Sequence, residues 1–87
     1  MPVKIEKVGQ LVTARLVGEV DHHTARQMRL EIDNALQFNM PTLLIIDFSE
    51  VSFMDSSGVG LVMGRYRELA KTGAELQLTG MSSSVIK

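Results

Sequence analysis

A short uninterrupted apolar run at residues 43–46 (Leu-Leu-Ile-Ile) lies between two stretches whose apolar residues recur at helical spacing. Because such a run is typical of a strand that is buried on both faces, we predict a central strand over residues 42–48. A helix on each side of a buried strand is the pattern of crossover connections in a parallel sheet. The sequence therefore indicates an α/β fold.

The first helix is predicted over residues 24–38, and its apolar positions share one face: Ala25, Met28, Ile32, Ala35 and Leu36. Two starts are compatible with the sequence. Asp21 can act as the N-cap, or Thr24 and Gln27 can form a capping box. The Asn-Met-Pro sequence at residues 39–41 is predicted to end this helix.

The second helix is predicted to begin at the Asp-Ser-Ser sequence of residues 55–57, after a loop at residues 49–54. It continues to Lys71, and Gly73 stands where a left-handed C-terminal cap is expected. The apolar residues predicted to form its buried face are Val59, Val62, Met63, Tyr66 and Ala70.

The remaining strands are predicted from shorter patterns. Residues 1–18 are predicted to form a β-hairpin that turns at residues 9–10 (Gly-Gln) and ends at Gly18. Residues 75–79 form a further core strand, followed by a polar tail at residues 80–87. The whole chain is thus expected to be one domain with a mainly parallel sheet and an antiparallel N-terminal edge strand.

The composition excludes several classes of function. Nine basic and ten acidic side chains give a net charge of −1, which argues against nucleic-acid or membrane partners. The longest apolar run has four residues, so neither a membrane span nor a signal peptide is predicted. The absence of cysteine excludes disulfides and makes the reducing cytoplasm the expected location.

Three glycines, Gly58, Gly60 and Gly64, fall within the predicted second helix. Each costs about 1 kcal/mol relative to alanine in a helix interior, or roughly 3 kcal/mol together. A penalty of this size suggests that another part of the molecule, or a partner, approaches the helix closely. Tight packing on the sheet and a docking surface free of side chains are both compatible with the spacing.

Ser56 and Ser57 are predicted at the first two positions of the second helix, behind Asp55. The unpaired N–H groups and the helix dipole at such an end stabilise an anion. A phosphate on either serine would be tolerated and would add about −1.5 to −2 charges to the surface. The alternative is that both serines only supplement Asp55 as helix caps.

The segment 47–60, with Asp-Ser-Ser-Gly at residues 55–58, closely resembles the signature of bacterial anti-sigma factor antagonists of the STAS domain family. Residues 18–24 and 64–66 extend the resemblance over nearly the whole chain. It implies a right-handed β-α superhelix with the helices on one side of the sheet. It also implies binding to an anti-sigma factor that is an ATP-dependent serine kinase, which frees the sporulation sigma factor.

In that family the kinase phosphorylates the first serine of the motif, here Ser56, and the phosphorylated form no longer binds. A type 2C-family serine phosphatase removes the phosphate. The resemblance places these residues in or beside the docking surface: Asp21, Asp55, Ser56, Ser57, Gly58 and Gly60. We add Met54, which is predicted to be partly exposed beside the motif. No cofactor is implied.

Family members usually continue through a further helix, strand and helix after the part that resembles residues 81–87. The chain is therefore expected to be a fragment, or to lack a carboxy-terminal part. On this interpretation the strand at residues 75–79 presents an unpaired edge, which invites strand exchange or pairing between molecules.

Catalysis and metal binding are less compatible with the sequence. His22 and His23 are expected at the same end of the sheet as Ser56, which suggests a Ser/His/Asp hydrolase. However, neither serine lies in a Gly-x-Ser-x-Gly turn. Neighbouring histidines do not share a helix face, and no third ligand is suitably spaced. A solvated helix start is the expected role of both histidines, and the protein is predicted not to be an enzyme.

Two further patterns have ordinary interpretations. The glycines of the second helix superficially match a dinucleotide fingerprint, but they lie inside a helix and not in a strand-to-helix turn. Arg65, Arg67 and Lys71 are predicted to line a solvated face, or a charged rim for an acidic partner. An alternative function keeps the fold but lacks the kinase: a signalling scaffold or a transporter-regulating STAS domain.

Overall fold

A computed structural model describes residues 2–82 of the chain, and part of the predicted polar tail lies outside these residues. Its elements in chain order are β1 (Val3–Val8), β2 (Leu11–Val20), α1 (His22–Asn39), β3 (Leu43–Met54), α2 (Ser56–Ala70) and β4 (Glu75–Thr79). The strands form one sheet in the order β1-β2-β3-β4. The first pair is antiparallel and the others are parallel, which confirms the hairpin and both crossover connections.

Both helices pack against the same face of this sheet. Alternate residues of β2 and β3 are buried in one core with side chains of both helices: Val12, Ala14, Leu16, Leu44, Ile46, Phe48, Met28, Ile32, Leu61 and Leu69. Leu43 and Ile45 point to the other face and are only half-buried. β3 is therefore not buried on both faces, as the apolar run predicted, whereas the one-sided arrangement implied by the family resemblance is confirmed.

The face of the sheet opposite the helices carries a cluster of charges. Arg15 on β2 lies beside Asp47 on β3, with its Nε donating to the Asp47 carboxylate at 2.9 Å. Glu6 and Glu50 approach the same guanidinium at 3.2 and 3.8 Å. The backbone N–H of Ser49, and then Arg15, lower the pKa of Asp47. The face of the sheet opposite the helices is therefore polar around Arg15, consistent with its exposure to water.

The strand β3 continues to Met54, and the loop predicted at residues 49–54 is wrong. The register between β2 and β3 shifts twice, between Arg15 and Val17 and again after Gly18. At each shift β3 supplies one extra residue, as in a β-bulge. The two bulges interrupt the alternation of apolar and polar residues, which explains why the second half of the strand resembled a loop.

Gly18 lies inside β2 and does not end it, contrary to the prediction. It adopts φ of +91°, a conformation that favours glycine, at the second register shift. The strand continues to Val20, whose carbonyl accepts a hydrogen bond from the N–H of Asp55 at 3.1 Å. The two residues after Gly18 therefore extend β2 to the point where α2 begins.

The C-terminal ends of the helices largely follow the predicted pattern. α1 ends at Asn39, and Met40 takes a left-handed conformation with φ of 46° as its C-cap. α2 ends at Ala70, and Gly73 has φ of +79°. The N–H of Ala74 then donates to the carbonyl of Leu69 at 3.1 Å, so Gly73 has the left-handed capping role that was predicted.

The buried face of α2 differs from the predicted one. Val59, Met63 and Tyr66 are 55%, 48% and 57% exposed, and Ala70 is also exposed. The buried residues of the helix are Gly58, Leu61, Arg65 and Leu69, with Val62 partly buried. The prediction failed because a glycine and an arginine occupy half of the buried positions and contribute no hydrophobic pattern.

Arg65 is buried against α1, so the prediction of a solvated face is wrong for this residue and holds for Arg67 and Lys71. Its Nε lies 2.8 Å from the Asp33 carboxylate, with side chains 7% and 41% exposed respectively. Nε and Nη1 of Arg65 have no hydrogen-bond partner among residues 2–82, so the contact is an ion pair without hydrogen-bond alignment. Burial lowers the pKa of Arg65, and the charge of Asp33 opposes this effect.

This pair predicts an asymmetric response to substitution. Asp33→Asn leaves a buried guanidinium without its counter-ion, and we expect the free energy of unfolding to fall by about 1 to 2 kcal/mol in urea titrations. The loss is smaller than for a fully buried pair because the Asp33 carboxylate retains contact with water. Arg65→Met removes the buried charge and should remain within about 1 kcal/mol of the wild type. Equal stability of Asp33→Asn and the wild type would show that the ion pair does not offset the cost of burying the Arg65 guanidinium.

Candidate functional site

Two helix N-termini meet at the carboxyl ends of β2 and β3. Val20 and Met54 are paired neighbours at the ends of these strands. The residue that follows each strand is the N-cap of a helix: Asp21 for α1 and Asp55 for α2. The structure thus brings together the two acidic residues of the predicted site at the edge of the sheet where ligands of open α/β folds bind.

Asp21 caps α1 in a reciprocal arrangement. Its carboxylate accepts hydrogen bonds from the N–H groups of His23 and Thr24, each at 3.0 Å. The N–H of Asp21 in turn donates to the Thr24 hydroxyl at 2.9 Å. Of the two predicted starts, the one with Asp21 as N-cap is therefore correct, and Thr24 is the third helical residue. The N–H of Thr24 is the main cause that lowers the pKa of Asp21.

Asp55 caps α2 and leaves Ser56 free of capping contacts. The Asp55 carboxylate accepts a hydrogen bond from the N–H of Ser57 at 2.8 Å. Ser56 is the first helical residue and is exposed, whereas Ser57 is half-buried. In the part of the chain that the structure describes, neither serine hydroxyl makes a hydrogen bond, so the serine side chains do not cap the helix. The Ser56 hydroxyl is open to solvent at the start of the helix.

The glycines of α2 have different surroundings. A Cβ atom on Gly58 would collide with the Sδ and Cγ atoms of Met54, which is 3% exposed. The prediction that Met54 is partly exposed is therefore wrong, because its side chain lies in the core beneath Gly58. A Cβ atom on Gly60 or Gly64 would meet nothing within 4 Å. Sheet packing thus explains Gly58, while Gly60 and Gly64 face open space.

An exposed strip runs along α2 from the candidate phosphorylation site. Ser56, Val59, Gly60 and Met63 are exposed at spacings of three and four residues, which places them on one side of the helix; we call these four residues the Ser56 strip. The helical spacing of apolar residues predicted Val59 and Met63 in the core, whereas both are exposed. Val59 and Met63 lie one turn apart, so their exposed apolar side chains form a continuous patch suited to contact with another protein.

The predicted histidines lie at the start of α1 and are both exposed. Their rings are stacked, with centroids 4.4 Å apart. No group of residues within the described range 2–82 has the composition of a metal site. No helix in this range is long and apolar enough to cross a membrane.

Two concave regions flank the helices. A groove of about 220 Å³ lies between the N-terminal halves of α1 and α2, and we call it the interhelix groove; it is lined by His22, Ala25, Arg26, Arg29, Ser57, Gly60 and Leu61. A larger cavity of about 590 Å³ lies at the other ends of the helices, near Met40 and Ala74. Its lining contains none of the predicted site residues, so the smaller groove is the one that belongs to the candidate site.

Comparison with known proteins agrees with the motif. The STAS domain family model matches residues 2–87. The anti-sigma F factor antagonist of Paenibacillus polymyxa is 31% identical over 85 residues, which cover 98% of this chain and 73% of that protein. The anti-sigma F factor antagonist of Lysinibacillus sphaericus is 42% identical over 78 residues, which cover 90% and 67% of the two chains.

Solved structures give the same result. The anti-sigma factor antagonist SpoIIAA in its unphosphorylated form superposes with a TM-score of 0.82 at 42% identity, covering 95% of this chain and 73% of that chain. The Bacillus cell fate determinant SpoIIAA in its phosphorylated form gives 0.77 at 41% identity, covering 94% and 75%. The resemblance to anti-sigma factor antagonists of the STAS domain family, which residues 47–60 indicated, is confirmed.

Proposed function

The chain belongs to the STAS domain family and groups with its anti-sigma factor antagonists, and we propose that it binds an anti-sigma factor in a manner controlled by phosphorylation of Ser56. Relatives of this kind are regulatory proteins and not enzymes, in agreement with the expectation from sequence. The proposed partner is an anti-sigma factor with ATP-dependent serine kinase activity. Its capture would free the sporulation sigma factor in the cytoplasm.

The observation that carries this proposal is the position of the Ser56 hydroxyl. It is exposed at the first residue of α2, and Asp55 already caps the helix through Ser57. A kinase can therefore reach the hydroxyl without unfolding the helix. The N-terminal end of a helix also tolerates the dianion that phosphorylation would leave there.

The surroundings of Ser56 explain how a phosphate would oppose binding. Val59 and Met63 offer apolar contacts, and the open space beside Gly60 allows a partner's backbone to come close. A partner that covers this strip removes Ser56 from water. A phosphate there would have to be buried with about −1.5 to −2 charges, which is costly unless it is paired. Phosphorylation would thus weaken docking without changing the fold.

The cycle requires an enzyme that restores the unmodified form. We assign this step to a serine phosphatase of the type 2C family, as the family resemblance implies. The same exposure that admits the kinase leaves the phosphoserine accessible to this enzyme. A SpoIIAA structure in the phosphorylated form, which shares 41% identity with this chain, supports a stable phosphorylated state of the fold.

Phosphorylation in vitro tests the proposal. The protein is incubated with ATP and its cognate anti-sigma factor, and the phosphate is located by mass spectrometry. We expect one phosphate at Ser56, lost in Ser56→Ala and retained in the matched variant Ser57→Ala. Modification at Ser57 would contradict the assignment of the residue. Absence of any phosphate would favour the alternative of a scaffold or transporter-regulating STAS domain without a kinase partner.

A further inference from the structure

We infer that the interhelix groove receives an acidic segment of the anti-sigma factor, whose carboxylates pair with Arg26 and Arg29. This inference rests on the proposed function, because it assigns a part of the same partner to a second contact region. The groove lies beside Ser57 and Gly60, at the N-terminal half of α2. It adds a charged contact to the apolar Ser56 strip.

The lining of the groove is cationic. α1 contributes Arg26 and Arg29 one turn apart, with His22 one turn earlier, and no aspartate or glutamate lines the groove. Both helices also direct their N-terminal ends towards this side of the molecule, which adds partial positive charge. The groove is therefore suited to negatively charged groups.

The charges of Arg26 and Arg29 are not neutralised within the described part of the chain. Four other cations form ion pairs there: Lys4, Arg15, Arg65 and Lys71. The acidic residues of α1 are engaged elsewhere, since Glu31 accepts a hydrogen bond from Gln27 and Asp33 pairs with Arg65. Two guanidinium groups one turn apart without an acidic partner favour an external carboxylate, which they can bind in a bidentate manner.

The groove is continuous with the proposed docking surface. Gly60 belongs both to the Ser56 strip and to the lining of the groove, and Ser57 is adjacent to Ser56. A protein that covers the strip is therefore beside the groove that Arg26 and Arg29 line. The absence of a side chain on Gly60 leaves the passage between the two regions open. This continuity favours a segment of the docked protein over a separate small anion.

Charge reversal in the full chain tests the inference. The variant R26E/R29E is compared with K7E/Q10E/N34D, which makes the same change of charge at exposed positions that form no ion pair among residues 2–82 and lie outside the groove. The affinity for the anti-sigma factor is measured by calorimetry at two salt concentrations. We expect R26E/R29E to bind at least about tenfold more weakly, with a smaller salt dependence, and K7E/Q10E/N34D to bind within about threefold of the wild type.

Equal affinities of R26E/R29E and K7E/Q10E/N34D would overturn the inference. If the wild type fails to bind the anti-sigma factor, both the proposed function and the groove assignment are overturned. If only R26E/R29E loses affinity, the result supports the proposed function and the groove assignment. All five replaced residues are exposed, so both variants should unfold at the wild-type temperature, and R26Q/R29Q serves as the milder variant if R26E/R29E does not. Inorganic phosphate added in an NMR titration should shift the groove signals only weakly, because exposed arginines also pair with phosphate. Tight, saturable binding of phosphate at the groove would identify a small-anion site and contradict an acidic segment as occupant.

Discussion

Replacing Ser56 by aspartate is expected to weaken binding to the anti-sigma factor by more than about tenfold, equivalent to about 1.4 kcal/mol of binding free energy. The aspartate places a charge on the exposed strip that we propose the partner covers, beside Val59 and Gly60. Ser56→Ala removes only a hydroxyl without hydrogen bonds, so it should bind as the wild type does and resist phosphorylation. Titration of each variant with the anti-sigma factor measures the difference.

The matched control for Ser56→Asp is Asn34→Asp. Asn34 is exposed on α1, away from the start of α2, and the substitution adds the same single charge. Its affinity should stay within about twofold of the wild type, because exposed charges remote from a contact are largely screened. If Ser56→Asp and the wild type bound equally well, charge at this position would not control docking.

Gly58→Ala should lower the free energy of unfolding by about 1 to 3 kcal/mol, the usual cost of overpacking a core. The added methyl group meets Met54 at Sδ and Cγ, and the Met54 side chain is itself enclosed in the core. Cγ lies near the backbone, so Met54 cannot move aside by rotating only its terminal methyl group. Urea unfolding, followed by circular dichroism, measures the loss.

Gly64→Ala provides the comparison within the same helix. A Cβ atom there has open space, so the substitution should raise the free energy of unfolding by up to about 1 kcal/mol through helix propensity alone. The effect of Gly58→Ala should also shrink in the background of Met54→Ala, since the colliding atoms are absent. If alanine changed the free energy of unfolding equally at positions 58 and 64, packing against Met54 would not be the reason for glycine at position 58.

The order of elements was predictable because each follows from a local pattern. The apolar run at residues 43–46 and the helical periodicities beside it dictated the crossover connections. Asp55 identified the start of α2, and Asp21 was one of two candidate starts for α1, because a short carboxylate side chain can pair with the free N–H groups of the first turn. The order of elements and the helix starts depend on residues that are close in sequence, so local patterns predict them.

The errors arise where distant residues decide the structure. The second half of β3 pairs with β2 through two bulges, and no local pattern specifies which residues are the additional ones. The orientation of α2 depends on Gly58 fitting over Met54 and on Arg65 pairing with Asp33. Neither contact is encoded in the periodicity of apolar residues along the helix, which pointed instead to Val59 and Met63.

The choice between the two serines shows the same limit of local reasoning. Helix electrostatics favours an anion at either of the first two positions, so the assignment of Ser56 came from the family motif. The structure adds a physical distinction, because Ser56 is exposed while Ser57 is half-buried and lines the interhelix groove. That difference is consistent with the proposed role of Ser56, which remains a prediction.

The most direct test measures how one protein sample binds the anti-sigma factor before and after the phosphate on Ser56 is removed. The protein is phosphorylated to completion by the kinase, titrated with the anti-sigma factor in a calorimeter, then dephosphorylated and titrated again. We predict that the phosphorylated form binds more than about tenfold more weakly and that dephosphorylation restores the original affinity. Equal dissociation constants for the two forms would contradict a phosphate-controlled docking surface at the start of α2.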